Sequence, residues 1–93
     1  MTSGHPTVRD VLLTNFVWEK GRVIAGRHPG EIRMDDLGNP IARSQYGTQG
    51  PMGWEIDHIL PVALGGTDDL SNLRPLHWRA NRSSGGRLAD ILK

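Results

Sequence analysis

The chain has 93 residues, a net charge of +1 and no cysteine. That length suffices for one small domain with a modest core, and the missing cysteines exclude disulfides and thiolate zinc sites. No apolar run approaches the roughly 20 residues that span a bilayer, and residues 1–10 lack the apolar stretch of a secretory signal. We therefore expect a single cytoplasmic domain over residues 1–93 that does not contact a membrane.

The basic side chains are unevenly distributed along the chain. Residues 1–73 carry six basic and nine acidic side chains, whereas residues 74–87 carry four arginines and no acid. A local cationic segment on a nearly neutral chain fits a phosphate-binding surface, although a solvated helix face gives the same pattern. The predicted nucleic-acid-binding arginines are Arg74, Arg79, Arg82 and Arg87.

A helix is predicted close to the N-terminus. Val8, Leu12 and Phe16 recur at helical spacing, which is the pattern of an apolar helix face. Thr7 is a suitable N-cap, and Asp10 stands three residues later, where it can complete a capping box. The C-terminal end of this segment fits an extended conformation equally well.

The middle of the chain predicts short strands. Residues 21–31 fit no regular element, and residues 32–47 predict a hairpin that turns at residues 38–40. Residues 54–60 alternate as a strand does, and residues 70–76 predict a second extended segment. These two segments are the candidates for a central pair of strands.

Helical patterns return in the C-terminal part. Residues 76–84 predict a helix that ends at Gly85 and Gly86, and residues 88–92 offer a last apolar stripe. Aromatic side chains bury a large area in a small domain. We therefore expect all three tryptophans in the core, namely Trp18, Trp54 and Trp78.

The most informative polar residues interrupt and follow the strand at residues 54–60. Asp57 and His58 are adjacent, and a glycine pair, Asn72 and Asn81 follow. The segments EIDHILPVALGGTDDLSNLRPL and ANR resemble the HNH endonuclease family, whose motif runs Asp-His, a Gly-Gly loop, Asn-Leu and a helix with a final His or Asn. The resemblance covers about residues 54–86. It implies an α+β fold with a ββα-metal core, preceded here by an N-terminal helix and hairpin.

These residue types suit the hydrolysis of a phosphodiester. The reaction needs a nucleophilic water, neutralisation of charge at phosphorus and help for the leaving oxygen. An imidazole can take a proton from water near neutral pH, so His58 is the predicted general base. Asp57 offers the hard oxygen ligands that suit Mg²⁺ or Mn²⁺. The resemblance implies that Asp57 and Asn81 hold one divalent ion, with Zn²⁺ and Ni²⁺ as further candidates.

Asn72 is predicted to serve catalysis indirectly. In the family the middle Asn makes hydrogen bonds to backbone atoms across the long loop. These bonds fix the loop that orients the histidine base. A histidine base needs its second nitrogen held, commonly by a carbonyl, and the loop at residues 61–71 is the expected source. Neighbours in a strand point to opposite faces, so Asp57 and His58 can serve one site only if the strand ends, bends or bulges there.

Two departures from the family pattern are visible. Many members carry Cys-x-x-Cys zinc pairs, one of them at the head of the helix, where this chain has His77 and Ala80. Many also have a lysine after the final Asn, where this chain has serines, so the phosphate contact is expected to fall to Arg82 or Arg87. His77 lies one turn before the final Asn, and we expect it to contact nucleic acid rather than a metal.

The sequence therefore predicts a metal-dependent HNH endonuclease that acts on DNA, with RNA as the alternative substrate. A second interpretation is a nucleic-acid-binding module of the same fold with weak or no catalysis. A third is a structural zinc protein that uses His58 and His77. Without cysteine, the chain struggles to supply the four ligands that a structural zinc site needs.

Overall fold

The computed structural model describes residues 7–83. Arg87, the glycine pair at residues 85–86 and the predicted apolar stripe at residues 88–92 lie outside the described residues. In chain order the elements are α1 (Val8–Trp18), β1 (Arg22–Val23), β2 (Ile32–Met34), β3 (Pro40–Ala42), β4 (Trp54–His58), β5 (Leu73–His77) and α2 (Trp78–Ser83).

The strands form two separate antiparallel sheets. One sheet has the order β1-β2-β3, and the other contains β4 and β5 alone. Because α2 begins directly after β5 and packs against both β4 and β5, the C-terminal half is a ββα unit. The predicted α+β fold with a helix and hairpin before a ββα core is confirmed.

The N-terminal helix begins at a capping box. The Thr7 hydroxyl accepts a hydrogen bond from the Asp10 amide at 3.1 Å, and the Thr7 amide donates to the Asp10 carboxylate at 3.1 Å. Hydrogen bonds to the Asp10 carboxylate from the Thr7 backbone amide and the Thr7 side chain lower the pKa of Asp10, because they favour the charged form. The predicted helix and both capping residues are confirmed.

The apolar face predicted for α1 is not the buried face. Val8, Leu12 and Phe16 are 77%, 50% and 50% exposed, whereas Val17 and Trp18 are buried. Tertiary packing orients the helix, because the buried Trp18 ring at its C-terminal end packs against Trp54 and turns a neighbouring stripe inward. The spacing therefore predicted a helix correctly and its buried side wrongly.

One hydrophobic core joins the N-terminal segment to the ββα unit. Its buried members come from α1, β3, β4 and β5, and the Trp18 and Trp54 rings lie 5.3 Å apart. Trp78 departs from the prediction, because it is only half-buried and its indole donates to the Gly50 carbonyl at 2.8 Å. The buried residues of this cluster are Val17, Trp18, Ile41, Trp54 and Leu73.

The β2–β3 hairpin is present, with two differences from the prediction. Its turn spans residues 35–39, so Pro40 is already the first residue of β3. The short strand β1 pairs with β2 inside the segment predicted to be irregular, since two residues carry too little pattern to be recognised. None of the helices between residues 7 and 83 combines the length and apolar character that crossing a bilayer requires.

Candidate active site

The paired strands β4 and β5 set the direction of the predicted site residues. Asp57 lies opposite Arg74, and the pairing continues to His58, where β4 ends. Strand alternation places Glu55 and Asp57 on one face of the hairpin and His58 on the other. β4 ends at His58, but its pairing with β5 is regular through both residues. Asp57 and His58 therefore point to opposite faces of the hairpin, and their joint service in one site stays a prediction.

Asn72 holds the two ends of the long loop together. Its Oδ1 accepts from the Leu60 amide at 2.8 Å, and its Nδ2 donates to the carbonyls of Leu60 at 3.1 Å and Thr67 at 2.8 Å. The Asn72 carbonyl also accepts from the Ile59 amide at 2.8 Å. The side chain thus makes the backbone bonds expected across this loop, and its contribution to catalysis stays a prediction.

The glycine pair lets the same loop turn tightly. Gly65 has a φ of 95°, in the left-handed region that glycine adopts readily. A Cβ atom on Gly66 would stand 1.8 Å from the Leu60 carbonyl oxygen. The loop also receives support from Lys20, whose Nζ donates to the Leu70 carbonyl at 2.7 Å and to that of Leu73. Sequence reasoning missed Lys20, because no local pattern links it to residues so distant in the chain.

The His58 ring is held by a side chain of the loop rather than by a carbonyl. Its Nε2 lies 2.7 Å from Oδ1 of Asp68. An ionised carboxylate only accepts hydrogen bonds, so in the neutral ring Nε2 carries the proton and Nδ1 keeps a lone pair. The partner of the ring does come from the predicted loop at residues 61–71, but it is the Asp68 side chain and not a backbone carbonyl. A carboxylate shortly after a candidate base was the signal that could have identified it.

The two predicted metal ligands contact different partners. Oδ2 of Asp57 accepts from Nε of Arg74 at 2.8 Å, and Nδ2 of Asn81 donates to Oε1 of Glu55 at 2.7 Å. Because Glu55 and Asp57 share a strand face and Asn81 reaches that face from α2, all three side chains belong to the surface between β4 and the helix. Glu55 is a second residue that the sequence reasoning missed.

The donor set on this surface fits a hard divalent cation. Carboxylate and amide oxygens are the ligands that Mg²⁺ and Mn²⁺ prefer, and Asp57 and Asn81 provide one of each type. Residues 7–83 contain no group of three or more His, Cys, Asp or Glu side chains in an arrangement that could hold a metal. The fit therefore depends on the Asn81 amide beside the Asp57 carboxylate.

The predicted arginines differ in their surroundings. Arg74 is 13% exposed in its side chain and forms ion pairs with Asp57 and, at 3.7 Å, with Asp36. Arg79 is exposed on α2 and lies over the Trp78 ring at 5.2 Å. Arg82 is also exposed, with Nη2 at 3.4 Å from the Glu55 carboxylate. Arg82 therefore stands beside the candidate site, Arg79 is an exposed cation elsewhere on α2, and Arg74 is engaged within the site.

His77 occupies a structural position instead of the predicted contact with nucleic acid. Its ring is buried, Nε2 lies 2.8 Å from the Pro51 carbonyl, and Nδ1 accepts from the Arg79 amide at 3.1 Å. Its backbone amide donates to Oδ2 of Asp35 at 2.9 Å. Both ring nitrogens are used within the chain, so the ring holds the start of α2 and not a phosphate.

Comparison with protein families supports the resemblance noted in the sequence. A family model described as HNH endonuclease matches residues 38–87, which is more than half of the chain. The comparisons with curated proteins and with solved structures gave no match. The matched range contains all the predicted catalytic, metal and nucleic-acid-binding residues.

Proposed function

Because the chain belongs to the HNH endonuclease family, we propose that it is a metal-dependent endonuclease that hydrolyses phosphodiester bonds in DNA. The family consists generally of nucleases that act on nucleic acids and typically use a divalent metal. The observation that carries the proposal is the loop clamp: Asn72 fixes the loop whose Asp68 contacts the His58 ring.

His58 is the proposed general base. With the proton kept on Nε2 by Asp68, Nδ1 is the ring atom that can accept the proton of the attacking water. The ring is one-third exposed, with 33% of its side chain reached by solvent, so water can approach it. A correctly placed base of this kind contributes about 10²- to 10⁴-fold to the rate.

Asp57 and Asn81 are the proposed ligands of one divalent cation, Mg²⁺ or Mn²⁺, because both offer hard oxygen atoms. Such an ion, when bound, supplies Lewis-acid stabilisation of the charge at phosphorus and of the departing oxygen. Arg74 holds the Asp57 carboxylate through Nε, and this contact orients the side chain on its strand.

Arg79 and Arg82 are the proposed contacts to the phosphate backbone. Both are exposed on α2, and Arg82 lies next to the site at Glu55. Contacts to phosphate position a nuclease without reading bases. We therefore expect weak sequence specificity. Cleavage of single-stranded and double-stranded DNA, with RNA as a comparison, will establish the preferred substrate.

A second candidate function is binding of nucleic acid without turnover. The Asp57–Arg74 ion pair favours it, since this contact occupies one oxygen of a predicted metal ligand. The serine at position 83, where many relatives have a lysine, points the same way. Salt-dependent binding that is indifferent to substitution of His58 would support this candidate.

Nicking of supercoiled plasmid DNA tests the proposed function. Wild-type protein is assayed with Mg²⁺, Mn²⁺ and Ni²⁺, with and without a chelator, beside His58→Ala and the matched control His28→Ala. His28 lies outside the motif and is exposed. We expect chelator-sensitive nicking by wild type and His28→Ala, and at least about 100-fold less by His58→Ala. Equal activity of wild type and His58→Ala across the three metals would refute the proposal.

A further inference from the structure

Glu55 joins the candidate metal ligand on the helix to the strand that carries the other ligand. It is the second residue of β4, two residues before Asp57, and its side chain is 26% exposed. Oε1 accepts a hydrogen bond from Nδ2 of Asn81 at 2.7 Å, and Oε2 lies 3.4 Å from Nη2 of Arg82. Both oxygens therefore face polar groups of α2.

The Asn81 side chain can serve a cation in only one of two orientations. Its amide has an oxygen at one end and an NH₂ group at the other, and rotation about the last side-chain bond exchanges them with little change in shape. Only the oxygen can bind a divalent metal. The ionised carboxylate of Glu55 only accepts hydrogen bonds, so it binds the NH₂ end and leaves the oxygen for another partner.

We propose that Glu55 is a positioning residue that fixes the Asn81 amide with its oxygen presented to the cation. The inference depends on the proposed function, because it concerns the same metal. Charge-assisted hydrogen bonds are about twice as strong as neutral ones, so the wrong orientation is disfavoured before metal binds. Loss of such an outer partner typically weakens metal binding by about 10- to 100-fold.

Calorimetric titration of the full chain with Mn²⁺ measures this effect without any turnover. Glu55→Gln keeps the shape but adds a donor, so both orientations of the Asn81 amide become acceptable. We expect about 10-fold weaker Mn²⁺ binding with an unchanged thermal midpoint. The matched control is Glu31→Gln, which removes the same charge from an exposed residue outside the site and should bind Mn²⁺ as wild type does.

A double-mutant cycle separates positioning from a direct or purely electrostatic role. In an Asn81→Asp background both ends of the side chain are oxygens, so orientation no longer matters. We expect Glu55→Gln to leave Mn²⁺ binding unchanged or to strengthen it there. The same fold-loss in both backgrounds would overturn the proposal, because it would mean that Glu55 binds the metal or acts only by its charge.

A measurement on unsubstituted protein checks the contact itself. In nitrogen-resolved NMR spectra of the metal-free chain, we expect one Asn81 side-chain proton to exchange with solvent more slowly than the amide protons of the exposed Asn15. Equal exchange would overturn the inference alone. Absence of saturable Mn²⁺ binding by wild type would overturn the proposed function and this inference together.

Discussion

The amide of His77 donates a buried hydrogen bond of 2.9 Å to Oδ2 of Asp35, which ties the β2–β3 turn to the head of α2. Oδ1 of the same carboxylate accepts from the amides of Leu37 at 3.0 Å and Asn39 at 2.8 Å. Many HNH relatives hold this helix with a cysteine-ligated zinc, at a position where this chain has His77. In this chain the buried Asp35 carboxylate ties the head of the helix to the β2–β3 turn by hydrogen bonds.

Asp35→Ala should therefore be strongly destabilising. It leaves several amides without an acceptor, and each unsatisfied buried group costs about 1–3 kcal/mol, so we expect a loss of about 3 kcal/mol or more in the free energy of unfolding. Urea denaturation measures it. Asp36→Ala is the control, because that neighbour is exposed and only a long ion pair is lost. A similar small effect of both substitutions would contradict this account of Asp35.

Asp68→Ala should slow catalysis without unfolding the protein. The side chain is 86% exposed, so its pairing with His58 adds little to stability, but its loss frees the ring to rotate and to change tautomer. We expect kcat for plasmid nicking to fall about 10-fold with little change in KM. Asp69→Ala is the matched control, since the Asp69 carboxylate accepts a hydrogen bond from the Thr67 hydroxyl rather than from the His58 ring. Equal kcat values for the two variants would argue against orientation of the base by Asp68.

Gly66→Ala should damage the loop more than Gly65→Ala. The new Cβ atom at residue 66 would collide with the Leu60 carbonyl oxygen, which accepts a bond from Asn72. At Gly65 no atom lies within 4 Å, and only the left-handed backbone is strained, by about 1–2 kcal/mol. We expect loss of nicking and faster amide exchange at Leu60 in Gly66→Ala. A milder phenotype than that of Gly65→Ala would show that the close approach is dispensable.

The orientation of α1 gives a prediction about stability. Val17 is fully buried and Phe16 is half exposed, although the spacing of apolar residues pointed to Phe16. Val17→Ala should cost about 2 kcal/mol, because it removes buried methyl groups and leaves a cavity, and Phe16→Ser should cost less than about 1 kcal/mol. Urea denaturation of both variants checks this ranking. The reverse ranking would mean that the helix packs through the stripe that the sequence indicated.

Sequence reasoning succeeded where the determining contacts are local. The capping box spans residues 7–10, so spacing and residue type were sufficient to predict it. The bonds of Asn72 reach back only 12 residues, and the resemblance to the HNH motif implied them. The contacts of Lys20 and Asp35 cross 50 and 42 positions of the chain. Their partners are backbone atoms, which carry no sequence signal. Such pairs become visible only when packing has brought the segments together.

The arginines differ in whether carboxylates of the chain already hold them, and the salt dependence of DNA binding can test this difference. Each phosphate contact contributes about 0.9 to the slope of log affinity against log salt. Arg79→Ala should therefore weaken binding and reduce that slope by about one, since Arg79 is exposed on α2. Arg74→Ala should leave the slope nearly unchanged, because its guanidinium is committed to Asp57 and Asp36. It should instead lower the free energy of unfolding by about 3 kcal/mol, as it leaves the Asp57 carboxylate without its cation. Fluorescence anisotropy with a labelled duplex, at several salt concentrations, measures both slopes. An equal reduction by the two substitutions would mean that Arg74 leaves its ion pairs to bind phosphate.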